Sequence, residues 1–251
     1  QCANLSLVPA IMTSYLLLGC VVLLTHFLEG ITGFGCTVLA LPFAILLIGT
    51  KQAVPVLLFL ALLLAVYIVW IDRQRIVWRE FAKIVAFVGL GLPFGIFTFG
   101  YFDENVLRWI LGAFMVIVAV RGLLSYVVSL NESRLPKWVL NLLLVAGGFI
   151  HGVFSSGGPL VVIYARNALV DKSNFRATIS MLWLSLNTVM LVQGVASGRM
   201  TPQIWKIIGI CLPFLAIGAL AGNWAHRHIK DRYFSQIVYG VLLVSGLFMF
   251  R

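Results

Sequence analysis

The sequence predicts an all-α, polytopic membrane protein with about ten apolar helical segments in two inverted five-segment repeats. Composition, run length and internal recurrence carry that reading. Of the 251 residues, 61% are hydrophobic and only 10% are charged, against about 25% charged in a soluble domain. So few charges cannot coat a soluble surface of this size. The apolar residues also come in continuous runs, and a helix needs about 20 residues to cross a hydrocarbon core of roughly 30 Å.

Ten segments follow in order, at approximately 11–28, 36–49, 53–71, 82–101, 106–128, 137–154, 159–169, 177–196, 204–224 and 234–250. Most are long enough to span; the second and seventh are short. The runs do not alternate with period two, which argues against a strand barrel. The net charge of +10 is spread between the apolar runs. A bilayer is therefore the expected partner, and nucleic acid is not. Cys2, Cys20, Cys36 and Cys211 have no CxxC spacing, so neither a zinc site nor a disulfide framework is expected. No cofactor is called for.

The recurrence divides the chain into 1–129 and 130–251. Gly89-Leu90-Gly91-Leu92-Pro93-Phe94 returns as Gly209-Ile210-Cys211-Leu212-Pro213-Phe214. Phe27-Leu28-Glu29-Gly30-Ile31 returns as Phe149-Ile150-His151-Gly152-Val153, and Gly35 then matches Gly157. Five crossings per half turn the second half upside down. With the 72–83 loop in the cytoplasm, 13 of the 18 Lys and Arg lie inside, including Arg73, Arg75, Arg166 and Lys172; Lys51, Arg108, Arg199, Lys206 and Arg251 lie outside. That asymmetry satisfies the positive-inside rule and puts both termini outside. Inverted repeats mark secondary transporters, whose site lies near the midplane where the repeats meet.

Two glycine-dense breaks interrupt the apolar sequence, between segments one and two and between six and seven. The first is Glu29-Gly30-Ile31-Thr32-Gly33-Phe34-Gly35. The second is His151-Gly152-Val153-Phe154-Ser155-Ser156-Gly157-Gly158-Pro159. Irregular backbone is tolerated in a membrane only when buried in protein or lining a cavity. Each break exposes the N–H groups of a new helix, an end that attracts anions. Gly30, Gly33, Gly35, Gly152, Gly157 and Gly158 are expected to bind a small anion through backbone. Thr32, Ser155, Ser156 and Asn187 would add side-chain contacts. The bland alternative is that the glycines only let helices pack closely.

Glu29 is the one acidic residue inside an apolar stretch, and an ionisable group there is costly. Its repeat partner is His151, and His26 lies one turn earlier. The three form an expected proton-sensitive set around the anion, weighed against a purely structural cap or pair. Arg176 is expected either to attract anions at the inner mouth or to serve as a topology charge. Pro93 and Pro213 should kink their helices. The seven tryptophans read as interface anchors and packing.

At the two breaks, and at Phe175-Arg176-Ala177-Thr178 opening segment eight, the sequence resembles the TauE/SafE family of sulfite exporters and sulfonate permeases. The resemblance covers nearly the whole chain, although Cys36 and Thr37 stand where the family carries more glycine. It implies a carrier of small sulfur oxyanions or organosulfonates in a bacterial inner membrane, working by alternating access. An anion channel with the same site is the alternative. An intramembrane hydrolase using Ser156 is a third reading, disfavoured because no glycine stands two places before that serine.

Overall fold

Nine α-helices form among the described residues, each on one of the expected apolar segments. This computed structural model describes residues 3–99, 103–127, 136–154, 158–169 and 171–228, with positions 236, 239–240, 243–244, 246–247 and 250. Ser155, Ser156 and Gly157, and most of the tenth segment, lie outside the described residues. The helices are α1 (Ala3–Thr32), α2 (Cys36–Ile48), α3 (Thr50–Asp72), α4 (Trp78–Phe99), α5 (Glu104–Val127), α6 (Lys137–Phe154), α7 (Gly158–Ala168), α8 (Lys172–Ala196) and α9 (Pro202–His226).

Local sequence explains their ends. Gly49, with φ of 75°, turns the chain between α2 and α3. The Asp171 carboxylate accepts the backbone N–H groups of Ser173 and Asn174 and so starts α8, the usual work of an N-cap side chain. Pro202 begins α9, where its missing N–H has no helical partner to lose.

Among the described residues, five helices are long and apolar enough to cross a membrane, on α1, α3, α4, α8 and α9. Their outer faces carry large exposed apolar side chains such as Leu24, Leu90, Phe94, Val192 and Leu220. In water such a surface would be an association hazard; in lipid it is the solvent-matched face. Trp70, Trp78, Trp109, Trp138, Trp205 and Trp224 are all exposed, as interface anchors should be. Trp183, at 5% exposure, is not. The chain is thus an all-α polytopic membrane protein.

Helix packing follows a swapped pattern. α1 lies chiefly against α9, and α6 chiefly against α4; α3 packs on α8. Glycines make both outer pairs close. A Cβ at Gly91 would stand 2.0 Å from the Val145 carbonyl oxygen, and one at Gly95 would stand 2.1 Å from that of Phe149. On the other side, a Cβ at Gly218 would stand 2.6 Å from the Leu23 oxygen, and one at Gly222 would stand 2.5 Å from the Phe27 oxygen. Gly152 and Gly30 receive the two seams, against Gly95 and Gly222 respectively. Close backbone approach through small residues is the normal way to hold membrane helices together.

These seams pair Gly91 and Gly95 with Gly218 and Gly222. The Gly-x-x-Leu-Pro-Phe recurrence instead aligns Gly89 with Gly209, seven positions out of step. Seven residues are about two helical turns, so the shift leaves the same face inward. Packing, not the short motif, sets the equivalence between α4 and α9.

α3 and α8 run antiparallel. The end of α3 meets the start of α8, where Asp72 lies 3.4 Å from Arg176 and the Val77 N–H donates to Thr178 Oγ1 at 3.0 Å. α2 ends beside the start of α3, and α7 ends beside the start of α8. The two short helices therefore finish at opposite faces. Their 13 and 11 residues give rises of about 20 and 16 Å, well short of the hydrocarbon core.

Candidate functional site

α2 and α7 begin at the same place. A buried cavity of about 20 Å³ is lined by Glu29, Gly35, Thr37, Val38, Ala61, His151, Gly158, Trp183 and Asn187 among the described residues. Ala61 is the twelfth of 23 residues in α3, and Trp183 the twelfth of 25 in α8, so the cavity sits halfway along the two central helices. It has room for one water-sized group. Two half-length helices thus enter from opposite faces and point their N-termini into one mid-helix cavity.

The first break is held open by its glycines. Gly33 and Gly35 have φ of 79° and 106°, in the region where a side chain is strained. Gly33 also lies on Arg176: a Cβ there would come within 3.0 Å of the Arg176 Cα. The Gly33 carbonyl accepts the Trp183 indole N–H at 3.1 Å, which fixes the break to the middle of α8. Phe34 packs edge-on against Phe175 at 6.1 Å. Gly158, opening α7, lies against both Trp183 and Phe34.

Glu29 has the most specific placement. Its Oε2 accepts the Cys36 N–H, the first of α2, at 2.6 Å. Glu29 is 4% exposed. The helix start expected to attract an anion is already bonded to a carboxyl oxygen of the chain. Opposite, the His151 ring stacks on Trp183 with centroids 5.4 Å apart and planes 20° apart. His151 is 2% and Asn187 3% exposed. His151 lies within interaction reach of the Asn187 side chain, without a hydrogen bond of normal geometry from either ring nitrogen among the described residues. His151 and Asn187 thus bring polar side-chain atoms to the lining of the cavity.

The sequence-expected residues divide accordingly. Glu29, Gly35, His151, Gly158 and Asn187 line the cavity. Gly30 and Gly152 sit in the helix seams instead, as the packing alternative held. The Thr32 hydroxyl lies 2.9 Å from the Leu28 oxygen and 2.8 Å from the Phe34 oxygen, so it braces the break and is not among the lining residues. His26 Nδ1 meets the Val22 oxygen of its own helix at 2.9 Å, away from the cavity. Ser185 and Thr188 bond the carbonyls of Met181 and Leu184 within α8. Arg176 is not at an open mouth: it is 1% exposed, ion-paired with Asp72 and donating from Nη2 to Asn223 Oδ1 at 2.8 Å. Ser155, Ser156 and Gly157 fall outside the described residues.

Trp183, Thr37, Val38 and Ala61 were not anticipated in the lining. Trp183 had a usable signal: it stands four residues before Asn187 and so shares its helix face.

A bundle of lipid-facing helices around two converging half-helices defines an integral membrane transporter. The chain matches the family model described as Sulfite exporter TauE/SafE over residues 17–249 and belongs to that family. It is similar to a curated relative, the probable inner membrane transporter protein TsaS of Comamonas testosteroni, with 22% identity over 182 residues, 70% of this chain and 74% of the relative. No solved structure matches it.

Proposed function

We propose that the protein is a secondary transporter of a small sulfur-containing anion, of the sulfite or organosulfonate class, working by alternating access in a bacterial inner membrane. The observation that carries the reading is the meeting of the α2 and α7 starts at one mid-helix cavity. Two helix N-termini supply converging N–H groups and positive partial charge without a lysine or arginine. His151 and Asn187 add side-chain groups. Glu29 places a titratable carboxyl beside the anion's position, which makes protonation of that group the natural partner of anion entry. The cavity is small, about 20 Å³, so a substrate enters as the two helix starts part.

The swapped seams support two inverted repeats at 1–129 and 130–251. α1 against α9 and α6 against α4 are the same contact made twice, with Leu23, Phe27 and Gly30 standing where Val145, Phe149 and Gly152 stand. Rocking of one repeat on the other about α3 and α8 would then open the cavity to each face in turn. The basic 72–83 loop would then lie at the cytoplasmic face.

Two measurements test this. Sulfite or a small organosulfonate should raise the melting temperature of the purified protein in a concentration-dependent way. In proteoliposomes the flux should saturate and show counter-transport. Ohmic, unsaturable current would instead establish the channel reading, and no stabilisation by any sulfur oxyanion would remove the substrate class.

A further inference from the structure

One face of α8 carries four buried residues in line: Arg176, Ser180, Trp183 and Asn187. Their spacings of four, three and four residues keep them within an arc of about 60° and spread them over roughly 16 Å of helix. Trp183 and Asn187 line the central cavity. Arg176 and Ser180 continue the line toward the end of α8 that meets the 73–77 turn.

The lower pair is incompletely bonded. Arg176 and Ser180 are each 1% exposed. The guanidinium donates from Nη2 to Asn223 at 2.8 Å and faces Asp72 across 3.4 Å, while Nη1 has no partner among the described residues. Neither has the Ser180 Oγ. A guanidinium offers five N–H donors in a planar fork suited to oxyanions. Burying one with donors unused is costly, and a purely structural ion pair would be expected to use them. Asp72 is also the more exposed partner, its side chain at 17%, so it can leave.

We propose that Arg176, with Ser180, is a second anion station on the path between the central cavity and the face bearing the 73–77 turn. Asp72 occupies the guanidinium as an internal counter-anion, and a small sulfur oxyanion takes its place in passing. This rests on the transport reading above. It also repeats the logic of the central cavity, where Glu29 occupies the start of α2. At both positive positions a tethered carboxylate holds the place that the cargo takes.

The test is a thermal titration of the purified full chain with sulfite. Asp72→Asn removes the competing charge and should lower the half-saturating concentration about tenfold. Adding Arg176→Gln in the same chain should abolish that gain, and adding Ser180→Ala should reduce it about threefold. The serine change is conservative enough to keep the comparison available where the arginine variant does not fold. An unchanged half-saturating concentration in Asp72→Asn overturns the station, as does a gain that survives both second substitutions, or no stabilisation in any variant. Because the titration reads binding, absent flux in liposomes would defeat the transport reading alone. Intact flux with no Asp72 effect would defeat the station alone.

Discussion

The two breaks are built from matching pieces of sequence and become chemically unlike. At the first, Glu29 reaches seven residues forward and caps α2 through the Cys36 N–H. At the second, the matching position is His151, which stacks on Trp183 beside Asn187. One side of the cavity is therefore supplied with a carboxyl and the other with an imidazole and an amide. The two breaks match in sequence and differ in polarity at one position. A symmetric pair of helix starts would hold an anion but give it no reason to leave. Under the proposed function, a carboxylate on one side gives the anion a competitor that a proton can remove.

The largest expected effect comes from deleting that competitor together with its cap. Glu29→Ala leaves the buried Cys36 N–H unsatisfied, which costs about 1 to 3 kcal/mol, and should cut flux by at least about a hundredfold if both the cap and the coupling charge are used. Glu29→Gln keeps an oxygen for the Cys36 N–H. Its melting temperature should stay near that of the parent while the pH dependence of sulfite flux flattens. A Glu29→Gln protein with an unchanged pH profile would reduce Glu29 to a structural cap and make the two breaks functionally alike.

Glycine replacement separates the breaks next. Gly33→Ala forces a side chain into a left-handed conformation, at about 1 to 2 kcal/mol, and against the Arg176 backbone at 3.0 Å. Gly158→Ala meets only an ordinary contact at 3.6 Å with Trp183. Thermal melts should show a clear loss for Gly33→Ala and a change within about 1 kcal/mol for Gly158→Ala. The second variant still narrows the cavity and should slow flux. Equal stability losses would mean that both breaks are held by strain.

The distinction between these glycines was only partly legible in the sequence. Long apolar runs announce their helices because only helices and closed barrels satisfy the backbone in lipid and a barrel strand alternates, and segments two and seven already stood out as short. Glu29 and His151 stood out as costly groups in apolar surroundings, and both reach the cavity. Gly30 and Gly152 looked like site residues but serve the α1–α9 and α4–α6 seams, because a missing Cβ answers either need and the letter alone does not say which. Trp183 was hidden among interface tryptophans, although its face of α8 also bears Asn187. Asp72 and Asn223 were silent for another reason: their meaning comes from Arg176, which tertiary packing brings to them across distant sequence.

On the second break, His151→Phe keeps a flat ring for Trp183 and removes both nitrogens. Since neither nitrogen is bonded among the described residues, the fold should hold, with stability changed by no more than the stacking contribution of about 0.5 to 1.5 kcal/mol. Sulfite affinity should fall by about tenfold, the value of one lost hydrogen bond to a charged group. Unchanged affinity would leave the anion to the backbone N–H groups alone.

The smallest effect concerns how helices are started away from the cavity. α2 is capped by a carboxylate seven residues upstream, whereas α8 is capped by the adjoining Asp171, whose Oδ1 accepts the Asn174 N–H at 2.8 Å and the Ser173 N–H at 3.0 Å. Those bonds, that to Asn174 foremost, hold the Asp171 carboxyl below its usual value. A folded-state pKa that is depressed stabilises the protein above the ordinary carboxylate range, and the benefit is lost as pH falls through the folded value. Asp171 is exposed, so the effect is modest: Asp171→Ala should cost about 1 kcal/mol at neutral pH, or a melting shift of about 2 to 4 °C. The shift should shrink once pH drops below about 4, and sulfite flux at neutral pH should be unaffected. A flux defect from Asp171→Ala would tie the start of α8 to the transport cycle, since that helix carries Arg176, Trp183 and Asn187 along one face. The contrast between a cap that only begins a helix and a cap that also holds the cargo's place would then disappear.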